Sequence, residues 1–510
     1  DLMDRIIEER DEDVYHNIYK WISYEYDSAG NVTQITRTIN GQIGHESILY
    51  DSFNRQIQHK DAHENVTTTK YIENFINNHG QRVLQTIETD PLGLEKITTY
   101  DALGNVSSQL KRSPQNSHLD SEEQFYDESG NLALHIKNNI QSTSWKYDPM
   151  NRIETLVEGG KKTTHFSYSH TGELTSKHKP DGVILSNSYD LLDQLTETSS
   201  TDQTIHYSFI YNKIGQQIGE KNGSNGTQIT RSYDVHGNLL SEKFPNSLTI
   251  SSTYDDQGRK TQLVLPNTTD VRYQYDPIFL RRIIRDQKHH DFNHYDLTGR
   301  LINQTPMGSL GSMTYTYDLI GRKTSQESSF DHTVVTFDPV GNLLSQQTST
   351  GTKSYAYDPL YQLIQEQNHQ YRYDLNGNRI AKNQEELRYN NLNENISHQT
   401  FNANGNPHLE GNTTFFYDAL DRLISIRNTS HQIDFQYDFQ GRHLSKTTNG
   451  IATFYLYDGV KEIGSFDANG SPLELRVLNP TFTSERGASI LIEIKNQPFG
   501  APFCGYLYLE

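Results

Sequence analysis

The chain has 510 residues, of which 33% are apolar and 11% aromatic, and its formal net charge is −19 at pH 7. The low apolar share disfavours a solid globule, for which about 45–50% is usual, while the aromatic content disfavours disorder. The acidic balance disfavours nucleic acid as a partner because no basic stripe is present to neutralise phosphates, and the absence of an apolar run of about 18 residues excludes a transmembrane helix.

Residues 1–20 are rich in charged side chains, and we expect a short helix or an irregular lead-in there. The acidic group Asp11, Glu12 and Asp13 does not match a calcium-binding loop. The sequence starts without an initiator methionine or a signal peptide and stops in what reads as a strand. We therefore expect an internal piece of a longer protein or an incomplete gene product.

A repeat with a period of 21 residues is clearest between residues 145 and 189, where it is marked by Tyr147, Tyr168 and Tyr189. Trp145–Tyr147 alternates large and polar side chains, which predicts a strand with both rings on one face. Asp148–Asn151 has the residue types of a turn. Residues 152–157 alternate again, and Gly159–Gly160 predicts a second turn. Each period is therefore expected to form two strands and two turns.

The same motif recurs along the chain, because 16 of the 32 tyrosines precede an aspartate. The third residue after that aspartate is glycine in nine copies and the fourth is asparagine or arginine in twelve. Glycine suits a turn that needs a positive φ, and the aspartate is expected to cap the turn through backbone N–H groups. The residues assigned to the structural repeat are Tyr26, Asp27, Gly30, Tyr147, Asp148, Tyr189, Asp190, Tyr233, Asp234, Gly237, Tyr317, Asp318, Gly321, Tyr437, Asp438 and Gly441.

Three parts of the chain depart from the regular spacing. Between Tyr50 and Tyr100 the interval doubles, and we interpret Thr89–Gly93 as a degenerate copy of the motif. From Tyr357 to Tyr417 the units shorten, with asparagine-rich stretches that predict short strands and tight turns. The end is different again. A last hairpin turn is expected at 466–470, followed by strands at 473–478 and 489–494 and a turn-rich segment at 498–503.

The pattern Y-D-x-x-G-[N/R]-[L/I/V] resembles the YD repeat of the RHS family, over residues 24–470. That family includes bacterial RHS toxins, the C component of insecticidal toxin complexes, wall-associated proteins and teneurins. The resemblance implies one strip of β-sheet that spirals into a hollow shell, which in toxin members encloses a C-terminal toxin polypeptide. The core-associated region of such members, with its aspartate-dependent self-cleavage site, is not visible in this sequence.

We therefore predict an all-β fold in which antiparallel YD-repeat hairpins form a continuous, spiralling β-sheet shell that is open or partial. Residues 1–20 are assigned to a lead-in, 21–470 to the repeat shell, and 471–510 to terminal strands that would be the incomplete start of a core-associated region.

No catalytic, cofactor-binding or metal-binding residue can be assigned from the sequence. His289, His290 and His294 have the spacing nearest to a metal site, but zinc sites need a tighter set of ligands, and a polar loop between repeats is the better interpretation. Cys504 is the one cysteine, so no internal disulfide can form and no nucleophile pair is recognisable.

The leading functional hypothesis is a non-enzymatic shell segment of a secreted or cell-surface protein that encapsulates and delivers a C-terminal toxin. The first alternative is a surface adhesion or carbohydrate-binding module, since exposed Tyr, Asn and Asp side chains suit sugars. The second alternative is a self-cleaving, aspartate-dependent protease. The partners expected are a C-terminal toxin cargo, with a shell-completing subunit or a cell-surface glycan as alternatives, and no cofactor, nucleic acid or membrane span.

Overall fold

The computed structural model describes residues 1, 3–12, 18–39, 42–78, 80–266, 270–307, 311–329, 332–478 and 489–494. Over these ranges the protein is built from strands and turns, and the one helical element is a single 3-10 turn at Pro245–Ser247. None of the described helical segments has the length and apolar character needed to cross a membrane. The prediction of an all-β fold is confirmed.

The first half of the chain forms 23 strands: β1 Glu8–Glu12, β2 Ile18–Tyr26, β3 Val32–Ile39, β4 Gln42–Tyr50, β5 Gln56–Lys60, β6 Val66–Ile76, β7 Arg82–Thr89, β8 Glu95–Tyr100, β9 Val106–Ser113, β10 Asn116–Tyr126, β11 Leu132–Lys137, β12 Gln141–Tyr147, β13 Ile153–Glu158, β14 Lys162–Tyr168, β15 Leu174–His178, β16 Ile184–Tyr189, β17 Leu195–Ser200, β18 His206–Tyr211, β19 Gln217–Asn222, β20 Gln228–Tyr233, β21 Leu239–Lys243, β22 Thr249–Tyr254 and β23 Lys260–Val264.

The second half forms the other 23: β24 Asp270–Tyr275, β25 Leu280–Arg285, β26 Lys288–Tyr295, β27 Leu301–Thr305, β28 Met313–Tyr317, β29 Lys323–Glu327, β30 His332–Phe337, β31 Leu343–Thr348, β32 Gly351–Tyr357, β33 Leu363–Glu366, β34 His369–Tyr373, β35 Arg379–Lys382, β36 Glu385–Glu386, β37 Gln399–Phe401, β38 Pro407–Glu410, β39 Thr413–Tyr417, β40 Leu423–Arg427, β41 Gln432–Tyr437, β42 His443–Thr448, β43 Ile451–Asp458, β44 Lys461–Asp467, β45 Pro472–Leu478 and β46 Ser489–Ile494.

Each strand pairs antiparallel with the next in the chain, which gives a 36-stranded sheet from β1 to β36 and a 10-stranded sheet from β37 to β46. A single bridge between Tyr389 and Asn395 lies between the two sheets. The short strands β33 to β38 confirm the prediction made from the asparagine-rich stretches. The ladder is a continuous ribbon of hairpins, because two-strand units joined by tight turns need no crossover connection.

Every hairpin ends in one of two kinds of turn, which lie on opposite edges of the ribbon. We call those that follow the Tyr-Asp motif, or its variants, Asp turns, and those at the other edge far turns. At an Asp turn the register shifts by one residue. Ser188 pairs with Glu197, for example, whereas Tyr189 pairs with Leu195. This is a β-bulge, which bends the strand and increases its twist.

Two local predictions were wrong, and the degenerate copy of the motif predicted at 89–93 is confirmed. Residues 8–12 form strand β1, with Glu8 opposite Ser23 of β2, because the edge of β2 offers a ladder for pairing and a charged edge strand is tolerated. The histidine segment is strand β26 and no loop, since His290 and Phe292 alternate inward with exposed neighbours. Residues 89–93 do form an Asp-type turn, but at the far edge.

The ribbon returns to touch itself after about one revolution. Asn138 donates to the Leu375 carbonyl at 2.7 Å, and Lys179 donates to the Ala419 carbonyl at 2.8 Å. Leu375 lies 23 strands after Asn138, and Ala419 lies 24 strands after Lys179, so one revolution takes about 24 strands. At a strand spacing of about 4.8 Å, this corresponds to a circumference of about 115 Å and a diameter of about 37 Å for a round wall. Such a wall encloses more space than its side chains can fill.

The hydrophobic core lies between successive coils. Phe244, Ile250 and Ile283 of the earlier coil pack with Leu456 and Phe466 of the later one in a single buried cluster. A smaller cluster joins β16 and β18 to the turn after β39. Because apolar side chains concentrate where coils overlap, the wall is stabilised without a filled centre, which accounts for the low apolar content.

Candidate functional site

Each Asp turn is held by its aspartate. In the turn after β20, Asp234 Oδ1 accepts from the backbone N–H groups of His236 at 2.9 Å and Asn238 at 2.8 Å, and Oδ2 accepts from Asn238 Nδ2 at 2.8 Å. These bonds, that from the Asn238 side chain first, lower the pKa of Asp234. The same acceptance from the backbone four residues on occurs at Asp27, Asp148, Asp190, Asp318 and Asp438.

The third residue after the aspartate has a left-handed backbone. Gly237 has φ of 92°, and its N–H donates to the Asp234 carbonyl at 3.2 Å. Gly30, Gly321 and Gly441 occupy the same position, with φ between 87° and 94°. Where glycine is absent, asparagine or aspartate often takes its place, as at Asn151, because these residues tolerate positive φ better than others, although Tyr361 fills the position in one turn.

Most tyrosines of the motif bind the preceding hairpin. Tyr147 Oη donates to the Leu132 carbonyl at 2.9 Å, across the width of one hairpin. Equivalent bonds to backbone carbonyls are made by Tyr26, Tyr189, Tyr233, Tyr317 and Tyr437. Burial raises the pKa of Tyr317 and of Tyr437 to about 12, so both hydroxyls stay protonated donors at neutral pH.

The fourth residue after the aspartate connects neighbouring turns. Arg152 Nε donates to Asp148 at 2.7 Å and Nη1 donates to the Ser169 carbonyl at 3.0 Å, while the guanidinium lies 4.6 Å from the Tyr168 ring centre. Asparagine makes a shorter link, since Asn131 Nδ2 donates to Asn151 Oδ1 of the next turn at 3.0 Å. The bias towards these two residue types was visible in the sequence, but the turn-to-turn link was not.

Where the ribbon overlaps itself, the Asp turns of the later coil contact the earlier coil. We call this contact the coil seam. Lys179, in a far turn, donates to Asp421 at 2.8 Å as well as to the Ala419 carbonyl. Further along, the Phe439 ring lies edge-on to Tyr207 and Phe209, with centroid distances of 5.4 and 4.8 Å. The seam therefore combines apolar turn tips with directed polar bonds.

A buried cluster of charges lies in the coil seam. Arg442 donates to Glu242 from Nη2 at 2.8 Å and from Nη1 at 3.2 Å, and Arg231 Nε donates to the same carboxylate at 2.9 Å. Burial raises the pKa of Glu220, which accepts from the Phe439 N–H at 2.6 Å. Burial opposes the charge on Arg442, but Glu242 and Asp438 outweigh it and raise the pKa of that guanidinium.

Sequence reasoning missed this cluster. Glu220, Arg231 and Glu242 lie on three successive strands at positions that bury their side chains. The available signal was a charged residue on the strand face that elsewhere carries aromatic rings. Because an unpaired buried charge is not tolerated, such a residue predicts a partner of opposite charge. Its partner Arg442 is 200 residues from Glu242, so no local pattern could pair them.

The described residues contain no group of three His, Cys, Asp or Glu side chains placed to share a metal ion. His290 is buried, bonded to Gln304 at 2.9 Å and stacked near Phe292, and burial lowers its pKa. His289 is exposed on the opposite face of the same strand. Cys504 lies outside the described residues.

Comparison with known proteins supports the architecture. Residues 94–311 match the family model described as the teneurin YD-shell. The fold is similar to that in the Photorhabdus luminescens Tc holotoxin pore carrying a TccC3 mutation, with a TM-score of 0.72 at 14% identity over 96% of this chain and 33% of that chain.

It is equally similar to the crystal structure of TcdB2-TccC3, with a TM-score of 0.72 at 14% identity over 98% of this chain and 35% of that chain. This chain thus spans about a third of the length of the chains it resembles. No curated protein sequence matches it. These likenesses confirm the fold as a shell of YD-repeat hairpins.

Proposed function

We propose that this chain, whose repeats place it in the RHS/YD-repeat family, is the non-enzymatic wall of a shell that encapsulates and delivers a C-terminal toxin polypeptide. The observation that carries the proposal is the return of the ribbon onto itself after 24 strands, through the bond from Lys179 to the Ala419 carbonyl. A wall of that circumference leaves an interior large enough for a polypeptide.

The repeat chemistry supports a role in containment. The aspartate and the tyrosine of most motifs are engaged with backbone groups of their own ribbon, as at Asp234 and Tyr147. Groups engaged in this way hold the wall in shape. We therefore propose a structural role in a secreted or cell-surface protein, with residues 21–470 as the shell segment between a lead-in and terminal strands.

The coil seam supports a wall that stays shut. Buried charge pairs and apolar turn tips hold one coil against the next, as at Arg442 and Phe439. A shell that carries a toxic polypeptide needs such joints, because an open edge exposes both its contents and its unpaired strand groups.

The test uses the complete gene product that contains this chain. Its sequence beyond Glu510 is expected to encode a core region followed by an unrelated C-terminal segment. In limited proteolysis that segment should resist cleavage while it stays with the shell, and lose protection in Arg442→Met, which opens the seam. Arg372→Met, at an exposed ion pair, is the matched control. A C-terminal segment cleaved equally fast in the wild type, or a gene without one, would overturn the proposal.

A further inference from the structure

The tips of the Asp turns are used for docking within this chain. In the later coil, Ala419 is 1% exposed and its N–H donates to Thr204 Oγ1 at 2.8 Å. The tip residue Leu392 contacts Gly159 in a far turn of the earlier coil, where there is no room for a further methyl group. Phe439 inserts its ring against Tyr207. The Asp-turn edge of the later coil therefore packs against the earlier coil.

The corresponding tips in the earlier coil are exposed in the part of the chain that the structure describes. Leu191 is 102% exposed, Ile214 73% and Val235 90%. They belong to three successive Asp turns, after β16, β18 and β20, so neighbouring tips are about 10 Å apart at the usual strand spacing. With Leu192, also exposed, they make a continuous apolar row, which we call the tip ridge.

Isolated exposed apolar side chains are ordinary, but a row of them at the tips of successive turns is not. The row continues with wider gaps at Phe53, Leu103 and Met150, which lie two residues into their turns, as Ile214 does, and are also exposed. In the later coil several apolar tips are covered, Ala419 fully and Leu420 and Phe439 partly, whereas Leu375 and Val460 stay exposed. The tip ridge thus has the composition of a docking edge that lacks its counterpart.

We propose that the tip ridge binds the far-turn edge of a second copy of this chain. The seam inside the chain shows that Asp-turn tips fit far turns of this same sequence, as Leu392 fits Gly159. The far-turn edge that such a joint needs is also exposed on the later coil, at Asn383, Gly411 and Ser430. The contact therefore continues an interface that the chain already makes with itself.

This joint is head to tail, since one copy contributes the tip ridge and the other its far turns. Heterologous contacts of this kind leave one unpaired contact surface at each end of the assembly. Further copies can therefore add to it unless the geometry closes a ring. The proposal rests on the coil seam and is independent of whether a toxin is enclosed, so its test is separate from the proteolysis experiment.

The test replaces the tip ridge by Leu191→Asn, Ile214→Asn and Val235→Asn together. Asparagine suits turns, and these side chains make no buried contacts, so folding should be kept, as checked by the thermal melt. The matched control is Leu49→Asn, Ile76→Asn and Ile210→Asn, which removes three exposed apolar side chains from strand ends that lead into Asp turns but lie outside the turn tips.

Sedimentation velocity over a hundredfold range of concentration should show association of the wild type and the control, with at least a tenfold weaker association of the ridge variant. Mixed in excess with the wild type, the ridge variant should shorten the assemblies, because its far turns still accept a partner while its own ridge cannot. A wild type that stays monomeric, or one whose association is unchanged by the ridge substitutions, would overturn the proposal.

Salt supplies a second readout. Each copy carries a net charge of −19, so added salt should strengthen an apolar contact by screening the repulsion between copies. Association that weakens as salt rises would indicate ion pairing and would contradict an apolar ridge.

Discussion

Arg442 and Glu242 are 200 residues apart in sequence, yet the guanidinium of one donates both Nη groups to the carboxylate of the other, at 2.8 and 3.2 Å. Each side chain is almost fully buried. The same guanidinium also bonds Asp438 and the Gly459 carbonyl. This pair therefore joins two coils of the ribbon at a buried point, where either charge without its partner would destabilise the fold.

Arg442→Met should open the coil seam at this point. The substitution leaves Asp438 buried without its cation and Glu242 with Arg231 alone, and breaking a buried pair in this way costs about 3–5 kcal/mol. The measurement is the free energy of unfolding in guanidinium chloride. Arg372→Met removes the exposed pair with Glu386 and should cost no more than about 1 kcal/mol. Equal losses in the two variants would mean that the seam does not depend on Arg442.

Glu220→Gln should stabilise the protein at neutral pH. Burial raises the pKa of Glu220 above the ordinary value of 4.5, and the negative charge of Asp438 raises it further. The positive charges of Arg231 and Arg442 lower the pKa, but by less. Between that ordinary value and its raised folded pKa, the folded protein binds more protons than the unfolded chain, so this residue lowers stability as pH rises. Glutamine keeps an oxygen for the Phe439 N–H.

Melting temperatures of the wild type and Glu220→Gln from pH 4 to pH 8 provide the measurement. The advantage of the variant should be absent near pH 4 and grow as pH rises through the folded pKa of Glu220. A constant difference over the whole range would show that the substitution acts through packing alone.

The repeat was predictable because its causes are local. Asp234 bonds N–H groups two and four residues on, and Gly237 supplies the backbone angle that closes the turn, so both leave a mark within six residues of sequence. The strand at 472–478 and the short hairpins after Tyr357 followed from the same alternation. Local turn chemistry thus accounts for the ribbon.

The far turn at 90–94 marks the limit of that reasoning. It has the same aspartate bonds as an Asp turn, with Leu92 and Leu94 as donors, yet it lies on the other edge. The copy that fills the gap at the Asp-turn edge is Asn77–Gln81, which carries no Tyr-Asp signature. The edge on which a turn lies depends on the number of strands that precede it. Strand β6 extends to 11 residues across a bulge, and the 21-residue period did not predict this length.

The coil seam was beyond prediction for a different reason. Which turn meets which strand depends on the number of strands in one revolution, and that number is set by accumulated twist along the ribbon. Small changes in twist at each bulge shift the partner of Lys179 or Glu242 by whole hairpins. Pairing over such distances leaves no periodic trace in a single sequence.

Tyr207→Phe should cost more than Tyr189→Phe. Tyr207 is buried in the seam, where its hydroxyl donates to the Tyr437 carbonyl at 3.0 Å and accepts from Arg422 at 3.0 Å. Removing it leaves a buried carbonyl and an arginine short of partners, a loss of about 1–3 kcal/mol. Tyr189 shares its acceptor, the Leu174 carbonyl, with Asn187 Nδ2, so that carbonyl stays bonded and the loss should be about 1 kcal/mol or less. Chemical denaturation of both variants gives the comparison, and the reverse order would contradict the seam geometry.

The acceptor role of the Asp-turn carboxylate can be tested at Asp101. Its Oδ1 accepts from the N–H groups of Leu103 and Asn105, both at 2.8 Å, and its Oδ2 accepts from Asn105 Nδ2 at 3.0 Å. Asp101→Ala removes all three and should cost about 1 kcal/mol or somewhat more. Asp101→Asn keeps Oδ1 and should cost less. Asn212 already fills this position in another turn, accepting from Ile214 and Gln216.

The two variants should also differ from the wild type in their pH dependence. Burial opposes the charge on Asp101, but its bonds from the Asn105 side chain and backbone prevail and lower its pKa below the ordinary 3.8. A lowered folded pKa adds stability above the unfolded value, and that stability is lost as pH falls through the folded value. Unfolding at pH 7 and pH 2.5 should therefore show the gap between the wild type and Asp101→Asn closing in acid. A gap that persists at pH 2.5 would mean that the charge of Asp101 does not contribute and that only the shape of its side chain does.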